Sequence, residues 1–435
     1  MTICLDYRDS TTDRVSEAFY MRHRAEEVCR KVYFRKAWKN IVPTDKDSVI
    51  ETAKFSTAPS LATINSKPAV AYLTGNTQVA TSYYDGSSWK KLSASGISAT
   101  DSITFLKLTT IGSDLYLAVL SKDKKLNVYK SASGTSAWAS VGGAFENVSY
   151  VSLTGNPTSG KPVVTYIETT TKSPILAHWN GSAWENEDVP TPQGGFTVDK
   201  CEDKKEGRRT VRVCDTTYKA IKIRELQSQF MESGKLAVIF VDTTVAYQAY
   251  YLLMNSNYEV LKKDEKIAEN VNGINLATDG SDIYMGYLNR DIEKYGPYVH
   301  KGSVGNSSIT WTTSGTAFGQ PVSEGRTAYH INIAASNGKL FAIIDDNGNY
   351  YLAQSHVFHL DGNKWKMYGE NELPYSKVNF YQKKKYYLRG AFPNIAIAGD
   401  GKVYISMLAW ENAGGRGVNY GPIVMKYVAD SWTVH

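Results

Sequence analysis

The 435-residue chain predicts an all-β fold, a seven-bladed β-propeller of four-stranded blades with a short amphipathic helix at its N-terminus. Three observations carry that prediction. Tryptophan recurs at Trp89, Trp138, Trp184, Trp311, Trp365 and Trp432, at intervals near about 50 residues with longer gaps before Trp311 and Trp432. Short runs rich in β-branched and aromatic residues precede the tryptophans. Gly, Asn, Asp and Ser separate those runs, as tight turns require.

The N-terminal part reads differently from the rest. Ser10-Thr-Thr-Asp13 has the spacing of a capping box, a hydroxyl followed three residues later by a carboxylate. Val15, Ala18, Phe19, Ala25, Val28, Cys29 and Val32 then follow in steps that place them on one helical face. The predicted helix runs from about Thr12 to Tyr33, and residues 1–54 form a helical segment and linker. Its expected task is to pack on the body of the protein, with partner binding as the alternative. Trp38, in Phe34-Arg-Lys-Ala-Trp38, stands one repeat length before Trp89. It fits an orphan outer strand, a remnant unit or part of the helical cap.

Residues 55–435 carry the repeat. Pro59-Ser-Leu-Ala-Thr-Ile, Lys67-Pro-Ala-Val-Ala-Tyr-Leu and Val79-Ala-Thr-Ser-Tyr-Tyr lead into Asp85-Gly-Ser-Ser-Trp89. Asp85-Gly86 predicts a hairpin turn of type I′, which needs positive φ. The same order returns before Asn180-Gly-Ser-Ala-Trp184, Asp361-Gly-Asn-Lys-Trp365 and Asp430-Ser-Trp432. Lys235-Leu-Ala-Val-Ile-Phe and Tyr247-Gln-Ala-Tyr-Tyr supply a unit that ends without tryptophan. A lone four-stranded sheet with two apolar faces cannot bury both, whereas stacking around an axis does. Each repeat tryptophan is expected to start an outermost strand and cover the gap to the next blade. An insertion near residues 190–230 interrupts the repeat. It carries Cys201 and Cys214 on flanks that alternate like strands, so a hairpin would bring the thiols together, either bridged or free.

The Asp/Asn-Gly-Ser-x-Trp endings at Asp85–Trp89 and Asn180–Trp184 resemble the Trp-Asp-Gly-x-x-Trp motif of bacterial and fungal β-propeller lectins. Trp179 supplies the leading tryptophan of the second copy, where Tyr84 stands in the first. The resemblance implies sugar binding in clefts between adjacent blades, on an aromatic platform with polar side chains beside it. The chain departs from that family in having no regularly repeated Arg/Glu/Trp set. It departs from sialidases too, because Asp85 and Gly86 are adjacent where the Asp-box has an intervening residue.

The composition narrows the chemistry. Charged residues make up 21% with a net charge of +6, a mild bias that predicts no nucleic-acid partner. Basic clusters at Lys204-Lys205, Arg208-Arg209 and Lys383–Lys385 read as solvated loops or hairpins. No apolar run reaches the ~20 residues of a membrane span. The first residues lack the pattern of a secretory signal, while a glycan ligand points to the extracellular side or cell surface, so the compartment stays open. No Cys-x-x-Cys pair, nucleophile elbow or phosphate loop occurs, and neither a metal nor another cofactor is expected. Asp282, Asp345-Asp346 and Glu370 with Glu372 are the acids a glycosidase could recruit. His356 and His359 would face opposite sides of a strand and share no metal.

The leading expectation is therefore a non-enzymatic binding propeller for a glycan or other surface ligand, with no catalytic residues. Trp179, Trp410, Glu411 and Arg416 are the candidate contacts, since both tryptophans stand outside the repeated position. The first alternative is a protein-interaction module that docks a protein partner on the insertion and the helix. The second is a sialidase-like glycoside hydrolase or lyase.

Overall fold

A computed structural model of the chain describes residues 37–40, 57–92, 97–134, 137–191, 195–206, 209–219, 222–244, 246–291, 296–314, 318, 328–347, 353–368, 389–413 and 416–428. Strand β1 is Ala37–Asn40. The first blade is β2 (Ser60–Ile64), β3 (Lys67–Leu73), β4 (Val79–Tyr84) and β5 (Trp89–Leu92). The second is β6 (Ile103–Ile111), β7 (Asp114–Ser121), β8 (Leu126–Ser131) and β9 (Ala139–Ser140). The third is β10 (Val148–Asn156), β11 (Lys161–Glu168), β12 (Pro174–Trp179) and β13 (Trp184–Asp188). A two-stranded hairpin follows, β14 (Gly195–Glu206) and β15 (Arg209–Lys219). The fourth blade is β16 (Ile223–Phe230), β17 (Leu236–Asp242), β18 (Gln248–Met254) and β19 (Val260–Ala268). The fifth is β20 (Val271–Asp279), β21 (Asp282–Asn289), β22 (Gly296–Val304) and β23 (Ile309–Thr313). The sixth is β24 (Ala328–Ser336), β25 (Lys339–Asn347), β26 (Ala353–Asp361) and β27 (Lys364–Met367).

The fold is an all-β propeller of four-stranded, antiparallel blades. Where the sequence predicts seven units of consecutive strands, six take that form. The remaining four-stranded sheet is composite: β28 (Arg389–Ile397), β29 (Val403–Ala413) and β30 (Arg416–Val428) are joined by β1 on the outer side of β30. Ala37 pairs with Val428 and Asn40 with Met425. The outermost position expected for Trp432 is thus held by a strand from the other end of the chain, which resolves the reading of Trp38 in favour of an outer strand. Residues 432–435 and the predicted Thr12–Tyr33 helix lie outside the described residues. Among the described residues the only helical element is a 3-10 turn at Ala132–Gly134, and no helix is long and apolar enough to cross a membrane.

Burial follows position within a blade. The second strand, packed on both faces by neighbouring sheets, is a continuous apolar run. β17, Leu-Ala-Val-Ile-Phe-Val-Asp, is buried throughout, whereas β13, Trp-Glu-Asn-Glu-Asp, is largely exposed at the rim. Each core layer is shared by two adjacent sheets. Ile111, Tyr116 and Val128 of the second blade pack with Leu153, Val164 and Ala177 of the third. Leu61, Tyr72 and Trp89 of the first blade pack with Tyr404 and Val424 of the composite sheet.

Polar side chains on the inner strands stitch neighbouring sheets. Ser60 Oγ accepts from the Leu108 amide at 2.8 Å, Ser152 Oγ from the Ser228 amide at 3.0 Å and Asn275 Oδ1 from the Ile333 amide at 3.0 Å. Asn394 Nδ2 of β28 donates to the Pro59 carbonyl at 2.8 Å, joining the composite sheet to the start of the first blade. Each bond satisfies a group that burial would otherwise leave costly.

One partly buried imidazole links this core to pH. His300 on β22 lies 3.0 Å through Nε2 from the Tyr287 hydroxyl, and its Nδ1 is buried with no hydrogen-bond partner. Burial lowers its pKa below the ordinary 6.5. The unfolded chain takes up this proton as pH falls through 6.5, but the folded chain does so only at lower pH. The neutral imidazole's contribution to stability is full above 6.5 and lost between that value and the folded pKa. His300→Phe is therefore expected to lose less Tm than the wild type between pH 7.5 and 5.5. Parallel pH profiles of the two proteins in calorimetry would contradict the assignment.

Candidate functional site

The Asp/Asn-Gly-Ser-x-Trp motif owes its form to its turn. Asp85 Oδ1 accepts from the amides of Ser87 and Ser88, both at 2.8 Å, and the Asp85 amide donates to the Ser88 carbonyl. Gly86 has φ +108°. Asn180 repeats the pattern with its Oδ1 on Ser182 and Ala183 at 2.8 and 2.9 Å, and Gly181 has φ +117°. Positive φ falls on Gly86 and Gly181 and not on their neighbours, which corrects the expected type I′, since that turn needs positive φ at both central residues. The amides gathered on Asp85 hold its pKa well below the usual carboxylate range, Ser88 contributing most.

These turns deliver tryptophans to the seams between blades. Trp89, Trp138 and Trp365 are buried, in line with the expected structural role. Trp138 Nε1 donates to Thr81 Oγ1 of the first blade at 2.8 Å, and Trp365 Nε1 to the Ser314 carbonyl at 3.1 Å. Trp184 is only half-buried. Its Nε1 donates to the Val141 carbonyl at 2.8 Å, and its ring packs at 5.1 Å from Phe145 and 5.5 Å from Trp179. The residues around it border an open cleft of about 340 Å³ between the second and third blades, lined by Gly142, Gly143, Phe145, Ser182, Trp184 and Asn186.

The cleft combines an apolar wall with polar groups at its edge. An indole face can stack on the C–H face of a sugar while amides bond its hydroxyls. Asn186 is exposed, and its side chain makes no hydrogen bond among the described residues. Beside it, Asn180 Nδ2 donates to Glu185 Oε1 at 2.6 Å, and His178 lies 3.3 Å from Glu187 and stacks on Tyr258.

Gly142 permits the cleft. Its φ is +70°, and an added Cβ would lie 2.7 Å from Trp184 Cδ1 and 2.8 Å from Trp179 Cζ3. Gly142→Ala is expected to destabilise the protein by roughly 2–4 kcal/mol, the sum of overpacking and left-handed backbone strain. Denaturant unfolding reads the loss; an unchanged midpoint would mean that both indoles yield freely.

The predicted contacts do not converge. Trp179 ends β12 in the third blade, where its half-buried ring packs edge-on against Trp184 without lining the cleft. Trp410 and Glu411 lie on β29, and Arg416 begins β30, at the hairpin end of the composite sheet. Two blades separate them from Trp179. The lining residues to which sequence reasoning gave no contact role include Gly142, Gly143 and Asn186, and it gave Trp184 only a structural one. The Gly142-Gly143 pair was their one signal, a flexible stretch just before the inner strand of the next blade. Asn186 had none, because rim strands are polar throughout.

Two of the acids weighed for catalysis, Asp282 and Asp345, are occupied structurally. Asp282 pairs with Lys301 at 2.7 Å, and buried Asp345 accepts from the Ser355 hydroxyl. Glu370 and Glu372 lie outside the described residues. His356 and His359 register against Ile344 and Phe341, on opposite faces of β26. No cluster of metal-ligating side chains occurs among the described residues. On the inserted hairpin, Cys201 registers directly opposite Cys214, while Ile223–Phe230 already belongs to the fourth blade. Lys204, Lys205 and Arg209 are strand residues of that hairpin.

Fold and neighbours together define the class, a β-propeller. No family model matches the chain, and no curated protein matches it. Among solved structures it is similar to the BP39L lectin from Burkholderia pseudomallei, with TM-score 0.53 and 11% identity over 87% of this chain and 100% of that one. It is also similar to a polysaccharide lyase of family PL25, an ulvan lyase bound to -[GlcA(1-4)Rha3S]-. There the TM-score is 0.52 with 10% identity over 91% of this chain and 96% of that one. A Hadza microbial sialidase, Hz136, reaches TM-score 0.44 at 12% identity, and this chain spans 65% of its length. Identities this low establish the fold alone.

Proposed function

We propose that this protein is a non-enzymatic glycan-binding propeller, with the composite sheet as its seventh blade and a sugar seated on Trp184. The half-exposed indole beside the unengaged Asn186 amide, in a cleft between two blades, carries this reading. The similarity to a lectin propeller supports it at the level of fold. Trp179 supports the platform from behind, while Trp410, Glu411 and Arg416 would form a separate contact region on the composite sheet. A ligand on a cell surface or in a matrix suits such a protein.

The test is a glycan array probed with wild type, Trp184→Ala and Trp410→Ala. Selective signals lost in Trp184→Ala establish the cleft. Loss in Trp410→Ala alone moves the site to the composite sheet, and a blank array overturns the reading. Turnover of any arrayed glycan would replace it with the hydrolase or lyase alternative.

The hairpin of β14 and β15 favours a second reading, a protein-partner dock. It pairs with no other sheet among the described residues, and a bridge between Cys201 and Cys214, which share one register position, would stiffen it.

A further inference from the structure

Six of the seven inner strands, all but β2, share an irregularity that sets one face of the propeller apart. Register shifts occur between Ile103 and Phe105, Ser149 and Ser152, Ile223 and Glu225, Asn272 and Asn275, Ala328 and His330, and Ala391 and Asn394. Each lies where an inner strand begins, so the bulges gather on one face around the central axis. Bulges re-aim side chains and are enriched next to functional sites. On this face Tyr150 is 46% exposed and adopts φ +49°. A hollow of about 250 Å³ lies beside it, lined in part by Thr104, Glu225 and Ile274.

At the edge of this face, two arginines meet one aromatic ring. Arg224, at the bulge of β16, places its guanidinium 5.9 Å from the centre of the Tyr247 ring. Arg290, just after β21, places its own at 5.0 Å. Arg290 Nη2 donates to Asn272 Oδ1 at 2.8 Å, fixing its direction. The three loops are laced by backbone bonds. The Asn270 and Val271 amides donate to the Ala246 and Tyr247 carbonyls at 2.9 Å, and the Arg290 amide donates to the Asn270 carbonyl at 2.8 Å. Ala246 and Tyr247 both sit at φ +49°, a conformation costly for residues with a Cβ. Neither guanidinium has an ion pair among the described residues. The adjacent Glu225 turns Oε2 to the Ile274 amide at 2.9 Å. Two guanidiniums held on one ring, with no ion pair among the described residues, present the planar donors that recognise oxyanions.

We propose that Arg224, Arg290 and Tyr247 form a second binding site, distinct from the Trp184 cleft, for the carboxylate or sulfate oxygens of an acidic sugar chain. It shares with the proposed function only the premise that the ligand is a glycan.

The experiment compares binding of dextran, dextran sulfate and polygalacturonate to wild-type protein and to Arg224→Gln/Arg290→Gln. Lys339→Gln/Lys364→Gln controls for net charge, since both lysines are exposed and lie away from this face. The wild type should hold at least one acidic polymer about tenfold more tightly than dextran, and the arginine double variant should lose that margin. The lysine variant should keep it. Arg224→Lys/Arg290→Lys, which preserves charge but not the planar fork, should recover only part of it. Trp184→Ala should leave the acidic preference intact, which separates this site from the cleft. Inorganic sulfate, compared with chloride at equal ionic strength, should raise the Tm of the wild type and not of the arginine double variant. Equal binding of all three polymers by the wild type overturns the proposal. So does undiminished acidic binding by a folded arginine double variant, or an equal loss in the lysine control.

Discussion

Removal of residues 1–44 is expected to destabilise the propeller by roughly 3–5 kcal/mol and to make it self-associate. The truncation deletes β1, whose four residues register with Met425–Val428 of β30. Ladder hydrogen bonds contribute about 1 kcal/mol each, and the loss also unfastens the one sheet built from both ends of the chain. β30, thirteen residues long, would become an unpaired outer edge, a template for another chain. Proline scanning gives a finer measurement. Only alternate residues of β1 donate to β30, so Trp38→Pro and Lys39→Pro should differ, the donor position costing more. A truncated protein that stays monomeric by size exclusion and keeps its denaturation midpoint would show that β1 does not fasten the ring.

The role of β1 was only half legible in the sequence. Trp38 at the repeat spacing marked an outer strand as one option, but strand pairing across the whole chain leaves no local trace. A strand's partner is chosen by which edge remains open, and only the assembled ring shows that β30 has one. By contrast, the blade interiors were legible. A run such as Leu236–Asp242 is apolar from Leu236 to Val241 because neighbouring sheets cover both of its faces. The Cys201–Cys214 register was also readable, because two alternating flanks around a polar tip constrain a hairpin strongly. The arginine site was not. Arg224, Tyr247 and Arg290 come from one strand and two loops of two blades, and each is ordinary in its own segment. The clue available was positional, since all three stand at corresponding ends of consecutive units. The contact residues chosen for being tryptophans out of register split for a related reason. An out-of-register tryptophan signals a departure from the repeat, without saying which seam it faces.

Trp184→Ala should lower glycan affinity by about 2 kcal/mol, roughly thirtyfold, the scale of a tryptophan anchor at a binding surface. The substitution also has a structural cost that must be separated from binding. The indole packs against Phe145 and Trp179 and donates to the Val141 carbonyl, so its loss leaves a cavity and an unpaired acceptor. A stability loss of about 2–3 kcal/mol is expected from those two effects. Two further variants divide the terms. Trp184→Phe keeps an aromatic face but loses the N–H, so it should retain most of the affinity while still losing stability. Asn186→Ala removes an exposed amide outside the core, so it should weaken binding about fivefold with Tm unchanged. Stacking and hydrogen bonding act on different faces of the same sugar, so the Trp184→Phe and Asn186→Ala effects should add. If Asn186→Ala binds as the wild type does while Trp184→Ala loses both affinity and Tm, the indole is a seam-filling residue like Trp89 and Trp138. The sugar site would then have to be sought on the composite sheet.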